Sequence, residues 1–229
     1  MLKSVNLFVN LPIYIGFKHV PYGYIYTHLN TFGYILTRRY FMVIYIDMDG
    51  VIADLNSMVL DIANKTFGTE FKAEDINDYW WGDTGIERGF FENVLIQEGL
   101  FKNLKEIENA VDSINEFKKR GYEVVFLTCP HFENPYCVAE KIDWLRERFN
   151  WFNPYDHIIF ASDKNKGRVG TINDYLIDDC ETNLRNFKGI SIAFKQPWNN
   201  NWSGIKFSNW NDLFNYIVEL EQSYLTNIF

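Results

Sequence analysis

The chain has 229 residues, 47% of them hydrophobic and 23% charged, enough apolar material for one generous domain or a domain carrying an insertion. That composition excludes a disordered tail, a collagen-like rod and a disulfide-stapled miniprotein, and the net charge of −8 leaves no broad basic surface to grip a nucleic-acid backbone. Cys129, Cys137 and Cys180 form no C-x-x-C pair, which argues against a disulfide framework or a structural zinc site and makes a reducing, cytoplasmic setting the expectation.

Residues 1–41 form an N-terminal extension of uncertain role. From Met1 to Ile46 there is no Asp or Glu, and Lys3, Lys18, Arg38 and Arg39 give +4; since the whole chain is −8, the remainder carries −12. The extension is crowded with Tyr, Phe and Ile but has no clean helical or strand period, no membrane span and no evident signal-peptide cleavage site. It reads as a transit-like leader, an extra structural segment, or translated upstream sequence with little role; Met42, directly before the first clear strand, favours the last.

The ordered pattern begins at Met42–Asp47, a β-branched run suited to a fully buried parallel strand. Between Leu55 and Asn103 there are helical periods (Val59, Ile62, Phe67, then Phe90, Phe91, Val94, Leu95) but no comparable strand, so residues 55–103 read as a small helical cap. The pattern then alternates: a helix over Leu104–Arg120, a strand over Glu123–Leu127, a helix over Cys137–Phe149 with Val138, Ile142, Leu145 and Phe149 inward, and a strand over His157–Ala161. Strands at Tyr175–Ile177 and Gly189–Phe194 and a helix over Trp210–Leu220 complete it. This predicts an α/β fold, a Rossmann-like parallel sheet with helices on both faces, built from residues 42–54 and 104–229 with the cap inserted after the first strand.

Ligands of open α/β sheets bind outside the carboxyl ends of the strands. There the sequence places Asp47 and Asp49, Thr128, Lys164, and Asp178 with Asp179. Singly each is an ordinary strand-end residue; in succession they form a phosphate site. Asp47 is a carboxylate nucleophile that needs no deprotonation, and Asp49 lies within reach of the leaving oxygen as general acid and then base. Crowded carboxylates beside phosphate require a hard cation, predicted to be Mg²⁺, held by Asp47, Asp178 and the backbone carbonyl of Asp49. Thr128 and Lys164 are the phosphate-binding residues; Lys166 is the rival, and Lys164 is preferred for lying closer to its strand. Trp80, Trp81 and Phe101 in the cap are the candidates for stacking on a planar substrate.

Asp47-Met48-Asp49-Gly50-Val51-Ile52-Ala53-Asp54 resembles the first motif of the haloacid dehalogenase-like phosphatases, in the form found in the 5'(3')-deoxyribonucleotidases. Phe126–Pro130, Ser162–Lys164 and Leu176–Asp179 are similar to the three later motifs, and Asn134–Cys137 with Glu140, Lys141 and Trp144 to the helix after the second. The resemblance implies a Rossmann-like core with a helical cap, Mg²⁺ dependence, and dephosphorylation of deoxynucleoside monophosphates with the roles just assigned. The second Asp, absent from dehalogenases, argues for phosphoryl transfer. The expected partner is a small-molecule nucleotide, with no nucleic-acid polymer, no membrane and a possible homodimer. The alternatives are a phosphatase for another small phosphoester such as a sugar phosphate, and a catalytically silent binding module.

Overall fold

The computed structural model describes residues 25–27, 35–37 and 42–226, in two compact units, Met1–Phe41 and Met42–Phe229. In the first unit, strands β1 (Ile25–Thr27) and β2 (Ile35–Thr37) pair antiparallel with Tyr26 opposite Leu36. The other residues of the N-terminal extension lie outside those described.

The second unit is built on β3 (Val43–Ile46), β4 (Glu123–Thr128), β5 (Ile158–Phe160), β6 (Tyr175–Asp178), β7 (Ile190–Phe194) and β8 (Ile205–Phe207). They form a six-stranded parallel sheet in the order β5-β4-β3-β6-β7-β8. The chain therefore leaves β3 in one direction, then crosses back to lay β6 on its other side. The crevice between β3 and β6 is the topological switch point, where parallel sheets place their ligands.

Period-2 alternation explains the two helical layers. Ile44, Ile46, Phe126, Tyr175, Ile177, Ile192 and Phe194 belong to one buried cluster with residues of α3 (Ala110–Lys119), α4 (Cys137–Arg148) and α7 (Trp210–Thr226). Their neighbours Tyr45, Leu127, Leu176 and Ala193 join a smaller cluster with Leu184 and Phe187 on the other face, where α6 (Glu181–Asn186) packs beside α5 (Asp163–Lys166).

Several boundaries differ from the sequence expectation. The helix expected from Leu104 starts at Ala110, because Asn109 before it adopts φ 63°. Leu104 is non-helical, and its carbonyl accepts the Trp144 indole N–H at 2.8 Å. In α4 the inward face is Cys137, Lys141, Trp144 and Leu145, whereas Val138 is exposed. β8, α5 and α6 span three, four and six residues, too short to show a period.

Residues 55–103 carry α1 (Leu55–Phe67), α2 (Arg88–Leu95) and two single-turn helices between them, with no strand among the described residues of the stretch. The Asp54 side chain caps α1 by accepting the Ser57 N–H at 3.0 Å, and Gly68 at φ 68° ends it. Trp81 stacks on Phe91 with centroids 5.2 Å apart and donates its indole N–H to Asn56. The end of the cap is fastened to α4 and the loop before it: buried Glu140 accepts the backbone N–H groups of Gly99 and Phe101, and Asn134 donates to the Leu95 carbonyl. Replacing Glu140 by Ala strands two amides; we expect a loss of about 2 kcal/mol or more in urea denaturation. An unchanged midpoint would show that these bonds do not hold the cap.

Candidate active site

Strand register assembles the site. Ile46 is paired with Ile177 on one side and Phe126 on the other. The next residue, Asp47, donates its N–H to the Ile177 carbonyl at 2.9 Å and so sits beside Asp178. Beyond it the chain turns tightly, with the amides of Val51, Ile52 and Ala53 all directed at the Met48 carbonyl. Gly50 is required in that turn: its φ is 75°, and a Cβ there would lie 2.5 Å from an Asp179 carboxylate oxygen.

Asp47, Asp178 and Asp179 are all buried, and one carboxylate oxygen from each lies within 4.8 Å of the others. Lys166 Nζ bridges two of them, 2.7 Å from Asp47 Oδ1 and 3.2 Å from Asp178 Oδ2. Asp178 also accepts the Cys180 N–H at 2.8 Å and the Asn183 amide at 3.1 Å. Asp179 Oδ1, by contrast, is buried without a partner. On the other side of Asp47, Lys141 donates to Asp49 Oδ2 at 2.6 Å, Thr128 Oγ1 at 2.8 Å and the Cys129 carbonyl at 2.9 Å. These acceptors use all three of its protons.

Four carboxylates thus face two ammonium groups. Burial is the largest influence on the proton affinity of each of these groups, with the neighbouring charges next. Burial raises Asp49, opposed by Lys141 and reinforced by Asp47. Burial pushes Asp178 up to about 6, with Lys166 pulling down and Asp47 pushing up. Asp179 is raised further, by burial and then by Asp178 and Asp47. Burial alone would lower Lys166, but Asp178 and Asp47 outweigh it and hold the lysine above its ordinary range. Excess buried negative charge, hard oxygen donors and the unpaired Asp179 Oδ1 fit a divalent cation at the trio.

The structure brings together Asp47, Asp49, Thr128 and Asp178 as the sequence suggested, with two corrections. Asp49 turns its carboxylate to Lys141, and Asp179 completes the carboxylate trio. Lys164 is exposed on α5 while Lys166 is buried at the site. Two residues apart on a helix is a rotation of about 200°, so only one of these lysines can face the cleft; nearness to the strand end was the wrong criterion. Lys141 was legible in outline: at i+4 from Cys137 and i−3 from Trp144, it lies on the buried stripe of α4.

Beside the acids is a cavity of about 140 Å³ lined by Asp49, Leu55, Tyr79, Trp80, Trp81, Phe101, Asp179 and Trp198, among others. The three predicted aromatics all border it but differ in availability. Trp80 is 45% exposed; Trp81 is 6% exposed and tied to Asn56; Phe101 is 2% exposed beneath the Lys141 ammonium. Trp198, missed in the sequence, meets Tyr79 edge to face beside the cavity, with ring centroids 5.6 Å apart.

Residues 41–223 match the family model described as 5' nucleotidase, deoxy (pyrimidine), cytosolic type C protein. The chain belongs to this family. A 5'(3')-deoxyribonucleotidase of Bacillus subtilis is 32% identical over 178 residues, covering 75% of this chain and 95% of that protein, and the same holds for the enzyme of Bacillus phage SPbeta. The fold is shared with a HAD family hydrolase from Deinococcus radiodurans solved with bound phosphate and sodium, at TM-score 0.54 and 12% identity, covering 78% of this chain and 96% of that one. On that family membership the protein is a phosphoric monoester hydrolase. No helix among its described residues is long and apolar enough to cross a membrane.

The two lysines of α5 make opposite predictions. Lys166→Ala removes the cation between Asp47 and Asp178 and should cut phosphate release by about 10²-fold or more. Lys164→Ala should leave turnover within about twofold, as is usual for an exposed substitution. Equal losses in a phosphate-release assay would contradict the placement.

Proposed function

We propose that this hydrolase is a Mg²⁺-dependent phosphatase of deoxynucleoside monophosphates that works through an aspartyl-phosphate. The observation that carries the reading is the juxtaposition of Asp47, on an ammonium and among acids, with an aromatic cavity bounded by Tyr79, Trp80 and Trp198. The names of the curated relatives support the nucleotide, and the aromatic walls suit a base, whose stacking on such side chains is worth roughly 1–3 kcal/mol per contact. We assign residues 42–54 and 104–229 to the catalytic core and 55–103 to the cap that selects the substrate. Free Cys129, Cys137 and Cys180 are in keeping with a reducing, cytoplasmic setting.

In the first half-reaction an Asp47 carboxylate oxygen attacks phosphorus, the bond from phosphorus to the ester oxygen breaks, and Asp49 gives its proton to the departing alkoxide. The desolvation that raises Asp49 favours the protonated acid needed for that transfer. In the second, Asp49 takes a proton from water as its oxygen attacks the phosphoryl group, releasing phosphate and restoring Asp47. Lys166 neutralises charge at the phosphoryl oxygens, and Lys141 orients Asp49 and the Thr128 hydroxyl. Asp47, Asp178 and Asp179 would hold the Mg²⁺, which when bound supplies positive charge to the phosphoryl oxygens.

Asp47→Asn keeps the shape but removes the anionic nucleophile, and should lower kcat by about 10³-fold or more. The assay is phosphate release across the deoxynucleoside and ribonucleoside monophosphates and a sugar phosphate, with Mg²⁺ and with EDTA. Deoxynucleotides should be preferred and EDTA should abolish turnover. Near-native activity of the folded variant would refute the covalent mechanism, and preference for the sugar phosphate would refute the nucleotide.

A further inference from the structure

The seven tryptophans provide an internal comparison. Five donate their indole N–H to the protein: Trp81 to Asn56, Trp144 to the Leu104 carbonyl, Trp151 to Asn115, Trp202 to the Ile205 carbonyl and Trp210 to the Val51 carbonyl. Trp80 is 45% exposed, so its ring is open to solvent. Trp198 departs from both patterns, because its Nε1 is buried yet has no acceptor among the described residues. Leaving a buried donor unmatched is costly, and buried indole N–H groups ordinarily find a partner.

Trp198 is not loosely placed. It sits in the single-turn helix Pro197–Asn199 after β7, which is tied to the acidic site at two points. The buried Asn199 side chain donates to the Asp179 carbonyl at 2.9 Å and to the Phe194 carbonyl at 2.8 Å, and Gln196 donates to the Gly50 carbonyl at 2.6 Å. The ring borders the same cavity as Asp49 and Asp179 and is braced edge to face against Tyr79 of the cap. An unpartnered donor on a ring held at a fixed position relative to the phosphate site, beside a cavity with aromatic walls, is equipped to read one acceptor on a ligand that reaches it.

We propose that Trp198 is a specificity-determining residue, its indole N–H donating to an acceptor atom on the base of the nucleotide, so that the core as well as the cap selects the substrate. The inference rests on the nucleotide reading above. An oxygen of the sugar is the other source of such an acceptor, and the substrates of the test separate the two.

Trp198→Phe removes the donor while keeping an aromatic ring against Tyr79. The full chain and the variant are compared on a deoxynucleoside 5'-monophosphate and on 2-deoxyribose 5-phosphate, which lacks the base. The ratio of kcat/KM between them should fall about three- to tenfold in the variant, the net worth of one hydrogen bond. A change in the thermal melt would report only the packing lost with the smaller ring, since no protein hydrogen bond is removed. An unchanged ratio overturns the proposal, and so does a parallel loss on both substrates, which would place the acceptor on the sugar or make the residue structural. If the native enzyme itself shows no preference for the nucleotide over 2-deoxyribose 5-phosphate, the nucleotide reading fails and takes this proposal with it; failure in the variant alone leaves that reading intact.

Discussion

Like charge gathered in one place is the constraint on which the rest of the structure depends. Asp47, Asp49, Asp178 and Asp179 meet at the switch point of the sheet, three of them buried almost completely. Carboxylates at such separations repel strongly in a low-dielectric interior, and each is stable only as a partner is found for it. Lys166 serves Asp47 and Asp178, Lys141 serves Asp49, and a pair of amide and backbone donors serves Asp178. What is left over is an unpaired oxygen on each of Asp49 and Asp179 and net negative charge, which suits a hard cation.

The fold reads as a device for holding that cluster. Parallel register delivers Asp47 and Asp178 side by side, and Gly50 lets the turn after Asp47 pass against Asp179. Helix α4 contributes to both sides of the problem within two adjacent residues. Lys141 points down to Asp49 and Thr128, while Glu140 holds the backbone of Gly99 and Phe101 at the end of the cap. The cap and Asp49 are thus positioned by one helical turn.

The strands carrying the chemistry were legible because each is a short run of β-branched or aromatic residues ending on a polar one, and the motif after β3 is specific. The phase of α4 was legible only in part. Leu145 and Phe149 lie inward as expected, but Val138 is exposed and the buried stripe runs through Cys137, Lys141 and Trp144, because a buried lysine answers a charge that only the tertiary structure reveals. The preference for Lys164 over Lys166 failed for a related reason: α5 has four residues and gives no period to read, so which lysine faces inward depends on the acids across the cleft. Tyr79 and Trp198 lie 119 positions apart in the sequence, and nothing local predicts that they meet. Trp81, one of the three aromatics expected from the sequence to stack on a substrate, is committed to Asn56 and Phe91 within the cap.

If the acidic cluster seats a divalent cation and Asp179 is part of that seat, isothermal titration of Mg²⁺ into the metal-free protein reads it without reference to any substrate. One Mg²⁺ per chain is expected for the native protein, with a marked loss of affinity in Asp179→Asn and the variant still folded. No uptake by the native protein, or equal uptake by both, would contradict it.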